Sequence, residues 1–142
     1  MDISQVNETA ARLRRAVTQL NRRLRQSSLG GVSPAQASML SSIEKLGSPS
    51  LGELALREQV QPPSVTRMIR TLEDMGFVVL VPDSDDRRST RVKLTTTGRR
   101  ELSVIRRRKT EFLETKLRSL SPDEQVHATQ LVDLLERLLD NS

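Results

Sequence analysis

A chain of 142 residues has room for one domain-sized core plus extensions, and its net charge of +5 suits a polyanionic partner. Zero cysteines exclude thiol redox sensing and cysteine-ligated metal. A single histidine, His127, cannot build a multi-histidine zinc sensor, and the lack of tyrosine and tryptophan argues against single-strand binding by base stacking.

The first predicted element is a long helix. Ile3, Val6, Ala10, Leu13, Val17, Leu20 and Leu24 alternate steps of three and four, a heptad-like seam mostly surrounded by Arg12, Arg14, Arg15, Arg22, Arg23 and Arg25. A short linker, residues 26–32, follows. Ser33-Pro34-Ala35-Gln36 is a capping box with proline at the first helical position. It opens a helix through Met39, Leu40, Ile43 and Leu46 that ends at Gly47. Ser50-Leu51-Gly52-Glu53 is a second such box, opening a short helix from Leu51 to Glu58 whose Leu51, Leu54 and Ala55 suit packing across the next helix. Only Gln59-Val60-Gln61 separates the two, as a helix-turn-helix requires.

That next helix, from Gln61 to Met75 and closed by Gly76, is the most informative element. At about 100° per residue, Val65, Met68, Ile69 and Leu72 fall on one narrow side. Thr66, Arg67 and Arg70 lie around the other, flanked by Ser64 and Thr71. The apolar side must be buried, so the arginines point outward. A charged hairpin then predicts a wing: Phe77 to Pro82 and Thr90 to Thr95, with the tip Asp83-Ser84-Asp85-Asp86-Arg87-Arg88-Ser89. Val92 and Leu94 are expected to face the core, leaving Arg91 and Lys93 in solvent. Three aspartates at a DNA-facing tip make sense if one, such as Asp86, braces an arginine. Arg88 is then the candidate for a narrow A·T-rich minor groove. A basic helix face followed by such a wing is what a winged helix needs to grip duplex DNA.

Residues 33–102 resemble the MarR family of bacterial winged-helix regulators. The matching residues are Leu54-Ala55, Ser64-Val65-Thr66-Arg67, Leu72-Glu73 with Gly76, the wing Asp86-Arg87-Arg88, and Leu94-Thr95 with Gly98. The resemblance implies an obligate homodimer with one winged helix per subunit, binding a pseudopalindromic operator and usually repressing. It also implies, for many members, release from DNA by small anionic or aromatic ligands. The double proline Pro62-Pro63 departs from the family pattern, where many members carry polar residues. The DNA-binding candidates are therefore Pro63, Ser64, Thr66, Arg67, Arg70, Asp86, Arg87 and Arg88.

Residues 102–120 join the wing to a terminal helix and hold four basic residues in a row, Arg106-Arg107-Arg108-Lys109. Leu102, Ile105, Phe112, Leu113, Leu117 and Leu120 define an apolar stripe with Lys109 near its centre and Arg106 at its edge. A buried cation needs a counter-charge or a route to water. Arg106 and Lys109 are thus candidate ligand-binding residues for an anionic effector, against a salt bridge across the dimer or snorkelling of a long stem. Ser121-Pro122-Asp123-Glu124 caps the last helix. Its broad face of Ala128, Leu131, Val132, Leu134, Leu135, Leu138 and Leu139 calls for cover from a second subunit or from an internal bundle.

The expected architecture is mostly α, a winged helix-turn-helix over 33–95 between an N-terminal dimerisation helix and linker (1–32) and connecting and C-terminal dimerisation helices (96–142). The expected function is a dimeric, sequence-specific transcriptional regulator of double-stranded DNA, with a nucleoid-type protein of little sequence preference as the alternative. No membrane-length apolar run, signal-peptide profile, nucleophile elbow, P-loop, zinc-protease or Rossmann pattern occurs. A cytoplasmic protein without cofactor, metal or enzymatic activity is expected.

Overall fold

The structure, a computed structural model, describes residues 1–28, 30–86 and 88–140. Six helices and a two-stranded sheet follow in the order α1 (Ile3–Ser27), α2 (Pro34–Leu46), α3 (Leu51–Glu58), α4 (Pro62–Asp74), β1 (Val78–Pro82), β2 (Thr90–Leu94), α5 (Thr96–Arg118) and α6 (Pro122–Asp140). The chain is mostly helical with a two-stranded wing, as the patterning predicts.

Each boundary has a local cause. Asp2 and Ser33 cap α1 and α2 through reciprocal boxes with Gln5 and Gln36. Gly47 ends α2 in the left-handed region at φ +63°. The box expected at α3 is only half made: the Ser50 hydroxyl accepts from the Glu53 N–H, while the Glu53 carboxylate turns to Arg91. At the end of α4, the Phe77 N–H donates to the Leu72 carbonyl and the Gly76 N–H to that of Glu73. With Gly76 at φ +81°, this is a Schellman closure, and the buried Phe77 and Leu72 supply its hydrophobic contact.

The core lies where α2, α3, α4 and the sheet meet the first turns of α5. Met39, Leu40, Ile43, Leu54, Val65, Ile69, Leu72 and Val92 are all essentially sealed from solvent. Burying each such side chain contributes roughly 1.5–3 kcal/mol, and they hold α4 by the side opposite its arginines. The strands pair antiparallel, Val78 with Leu94 through Pro82 with Thr90. A further piece, not legible in the pattern, joins the sheet. Ser50 bridges Arg91, and the Val92 N–H donates to the Pro49 carbonyl at 2.8 Å.

The connecting helix begins earlier than its apolar stripe implied, at Thr96 rather than Leu102. The reason is a cap: the Thr95 hydroxyl accepts from the Gly98 N–H at 3.0 Å and donates to the Gly76 carbonyl at 2.6 Å. The first turn of α5 is thereby pinned to the corner that ends α4. At the far end α6 has no buried residue, and only Ala128 and Leu135 are partly covered.

Candidate nucleic-acid interface

The interface is built from α4 and the hairpin that follows it. Val65, Ile69 and Leu72 are buried and Met68 packs against them, so the helix has one rotational setting. In that setting Pro63, Arg67 and Arg70 are exposed, and Ser64 and Thr66 are half-buried. The side chains are partly organised. The Arg67 guanidinium donates to the Ser64 hydroxyl at 3.4 Å, folding back toward the helix N-terminus. The Thr66 hydroxyl donates to the Pro62 carbonyl and that of Thr71 to the Arg67 carbonyl. Neither Arg67 nor Arg70 forms an ion pair among the described residues, so both keep their charge for a partner.

The turn before α4 carries strain that no glycine signals. Gln59 sits in the left-handed region at φ +55° and ψ +43° as the cap of α3. For a side chain bearing a Cβ this costs about 1–2 kcal/mol. Its N–H donates to the Leu56 carbonyl and that of Val60 to Ala55, so the tight turn is hydrogen-bonded throughout. Behind it, Ser38 and Ser42 on α2 both donate to the Glu58 carboxylate, joining α2 to the end of α3.

On the wing, Asp86 and Arg88 are exposed at the tip, while Arg87 lies outside the described residues. Asp86 does brace the tip, but through backbone rather than side chain: its carboxylate accepts from the Arg88 N–H at 3.0 Å. The carboxylate–arginine brace falls elsewhere, on Arg91 with Asp83 and Glu53. Arg91, expected in solvent, is half-buried with its guanidinium between Asp83 (2.9 Å) and Glu53 (3.1 Å). The reason is tertiary, because the 48–50 segment runs beside β2 and brings the first turn of α3 within reach. Arg91 thus ties the wing base to the helix that precedes the turn. The Asp83 carboxyl is held below its ordinary value of 3.8, first by the Asp85 N–H and next by Arg91. A depressed carboxylate contributes above its ordinary value and loses that contribution only as pH falls through the lowered one. Asp83 therefore stays charged against Arg91 at neutral pH.

The two groups of candidates are adjacent in the chain and share no hydrogen bond or ion pair among the described residues. The candidates on α5 lie apart from both. Arg106 and Lys109 border a cleft of about 240 Å³ between α1, α2 and α5, with Asn21, Arg25, Ser38 and Ser41 on its other walls. Arg106 is half-exposed and pairs with Glu44 of α2 at 2.8 Å, a bridge within the chain. Lys109 is half-buried and has no ion pair among the described residues.

A helix-turn-helix whose second helix turns two arginines to solvent beside a β-wing defines the class of winged-helix DNA-binding regulators. Residues 32–90 match the MarR family. The whole chain is 37% identical over 134 residues to an HTH-type transcriptional regulator of Mycobacterium tuberculosis, covering 94% of each. Among solved structures it is similar to a transcriptional regulator protein of Pseudomonas aeruginosa, with 31% identity, a TM-score of 0.84, and 97% and 98% of the two chains covered. It shares its fold with a mutant of S. aureus MepR bound to an oligodeoxyribonucleotide (19% identity, TM-score 0.72, 92% and 97% covered). The chain belongs to the MarR family of transcriptional regulators, which are not enzymes. Among the described residues no helix is long and apolar enough to cross a membrane.

Proposed function

We propose that this chain works as a homodimer that binds a pseudopalindromic operator and represses transcription in the cytoplasm. The observation that carries the proposal is the α4 face. Arg67 and Arg70 stand exposed on a helix whose other side is locked into the core. In such a domain the N-terminal residues of the second helix meet base edges in the major groove. Pro63, Ser64, Thr66, Arg67 and Arg70 supply those contacts and the neighbouring phosphate contacts, and Asp86, Arg87 and Arg88 form the wing's edge on the DNA. Residues 33–95 are then the DNA-binding unit, and 1–32 with 96–142 the dimerising one. The uncovered apolar residues of α6, among them Leu131, Val132, Leu134 and Leu138, each about half-exposed, support a partner subunit as their cover. Repression follows physically if the two-fold dimer spans successive grooves of a promoter and excludes polymerase.

The test is selection of random duplex DNA by the purified protein at about 150 mM salt. Enrichment of an inverted repeat with half-sites about one helical turn apart is the expected result. Bulk binding without any enriched motif would instead establish a nucleoid-type protein, for which the arginines of α1 are the favouring feature. Salt dependence alone does not separate the two, because phosphate contacts dominate both. On the selected site, Arg88→Ala is expected to cost about 100-fold, since each of the dimer's two wings loses a charged hydrogen bond worth about tenfold. That loss should appear on A·T-rich flanks and shrink on G·C-rich ones, as competition binding with the two flank types will show. Equal loss on both would remove Arg88 from the minor groove.

The cleft between α1, α2 and α5 is the proposed effector site, for a small anionic or aromatic ligand. Lys109 and Arg25 supply its positive charge, while Arg106, engaged with Glu44, shapes the wall. An occupant there acts by favouring a dimer spacing that no longer matches the grooves. Lys109→Met is expected to leave operator affinity unchanged and to raise at least about tenfold the concentration of an aromatic carboxylate needed for release. Unchanged release by Lys109→Met would move the site elsewhere.

A further inference from the structure

We infer that Pro62 and Pro63 are specificity determinants that read the 5-methyl group of thymine at the tip of the reading helix. The inference rests on the assignment of α4 to the major groove.

The first turn of α4 has no backbone donor to offer DNA. Pro62 and Pro63 lack an N–H, and the N–H groups of Ser64 and Val65 both donate to the Gln61 carbonyl, at 2.9 and 3.2 Å. Two of the polar side chains nearby are partly engaged. The Thr66 hydroxyl proton goes to the Pro62 carbonyl, and the Ser64 hydroxyl receives Arg67. Proline at the first helical position needs no special reason, since that N–H would be unpaired in any helix. The second, exposed proline also lies in the first turn, where a missing N–H costs no intrahelical bond, so the fold permits it without demanding it. It removes a donor from the position closest to the bases. Beside the exposed Gln61 amide, the tip then presents two exposed pyrrolidine rings, with exposed Val60 two residues upstream of them.

A pyrrolidine ring cannot hydrogen-bond to guanine, adenine or the cytosine amine, and would leave whichever of those groups it covers without water or partner. The thymine 5-methyl is the one apolar group that the major-groove edge presents. The half-site is therefore expected to hold a thymine opposite the start of α4, with Arg67, one turn further along, on the adjoining bases.

Replacing each thymine of the selected operator with uracil removes one methyl group and leaves every hydrogen-bonding group in place. The expected loss is about fourfold at one position of each half-site, the worth of one buried carbon, and about 15-fold with both half-sites altered. In Pro63→Ser that penalty should fall below about twofold, with arginine-dependent positions unaffected. Wild-type protein indifferent to every uracil, or a variant keeping the full penalty, would overturn the inference while leaving the operator assignment intact. Failure to select any operator would overturn the placement of α4 itself, and this inference with it. The uracil comparison alters only the DNA, so it reads correctly whether or not the variant folds well.

Discussion

Arg67→Ala is expected to lower operator affinity by at least about 30-fold and to flatten base preference at one position of each half-site. A good bidentate arginine–guanine pair discriminates by roughly 1–3 kcal/mol. A two-fold dimer loses two such pairs at once, so the total is about 2–6 kcal/mol, or roughly 30- to 10⁴-fold. The floor is non-specific binding, which lies about 10³–10⁷ below the specific complex. Arg67 is favoured over Arg70 because its guanidinium is already folded toward the Ser64 hydroxyl and the groove-entering end of α4. Arg70 lies one turn further from that end. Arg70→Ala should weaken all sequences alike and reduce the slope of log affinity against log salt by about one per lost phosphate contact. Titration of both variants against the operator and against single-base mutants, at two salt concentrations, separates the roles. A uniform loss for Arg67→Ala with the operator preference intact would reassign it to phosphate.

The second large effect belongs to stability. Gly98→Ala is expected to destabilise the fold by about 3 kcal/mol or more, at the upper end of what overpacking costs. A Cβ built on Gly98 lies 2.1 Å from the Phe77 carbonyl oxygen and 2.9 Å from its carbon, and both are backbone atoms that cannot rotate away. Either α5 lifts from the corner or the Schellman closure of α4 opens. The Thr95 bonds to Gly76 and Gly98 cross the same junction. A fall in Tm on the order of 10 °C is anticipated, measured at matched protein concentration because a dimer's Tm depends on it. Since this junction couples the end of α4 to the first turn of α5, operator affinity should fall as well. A variant as stable as wild type would show that the close approach is not a constraint.

The same junction suits an effector that acts from a distance. The proposed effector cleft lies along α5, and α5 starts from a cap bonded to Gly76, the residue that closes α4. A ligand that tilts α5 therefore has a mechanical route to the reading helix. The Glu44–Arg106 bridge also links α5 to α2, so the winged domain is expected to turn as one body.

Much of this protein was legible before its structure. Residues three and four apart along α4 separate into an apolar and a basic side, and helical geometry alone then sends Arg67 and Arg70 to solvent. The caps Ser33 and Ser50, the stop at Gly76 and the alternation of Val92 and Leu94 are local signals, each decided within a few residues. Resemblance carried the rest of the family assignment. What stayed hidden depends on segments brought together from distant parts of the chain. Arg91 alternates like a surface residue, and only the packing of the 48–50 segment against β2 turns it into the brace of the wing through Glu53, 38 residues away in the chain. Asp83 and Asp86 each accept the backbone N–H two residues on, and nothing local tells that Asp83 also grips a guanidinium. The edge of the apolar stripe singles out Arg106 as a cation in need of a partner, but that the partner is Glu44 is decided only when α2 packs beside α5. Period and capping report an element's own geometry, whereas charge pairing depends on which elements meet, and that is decided only when the core closes.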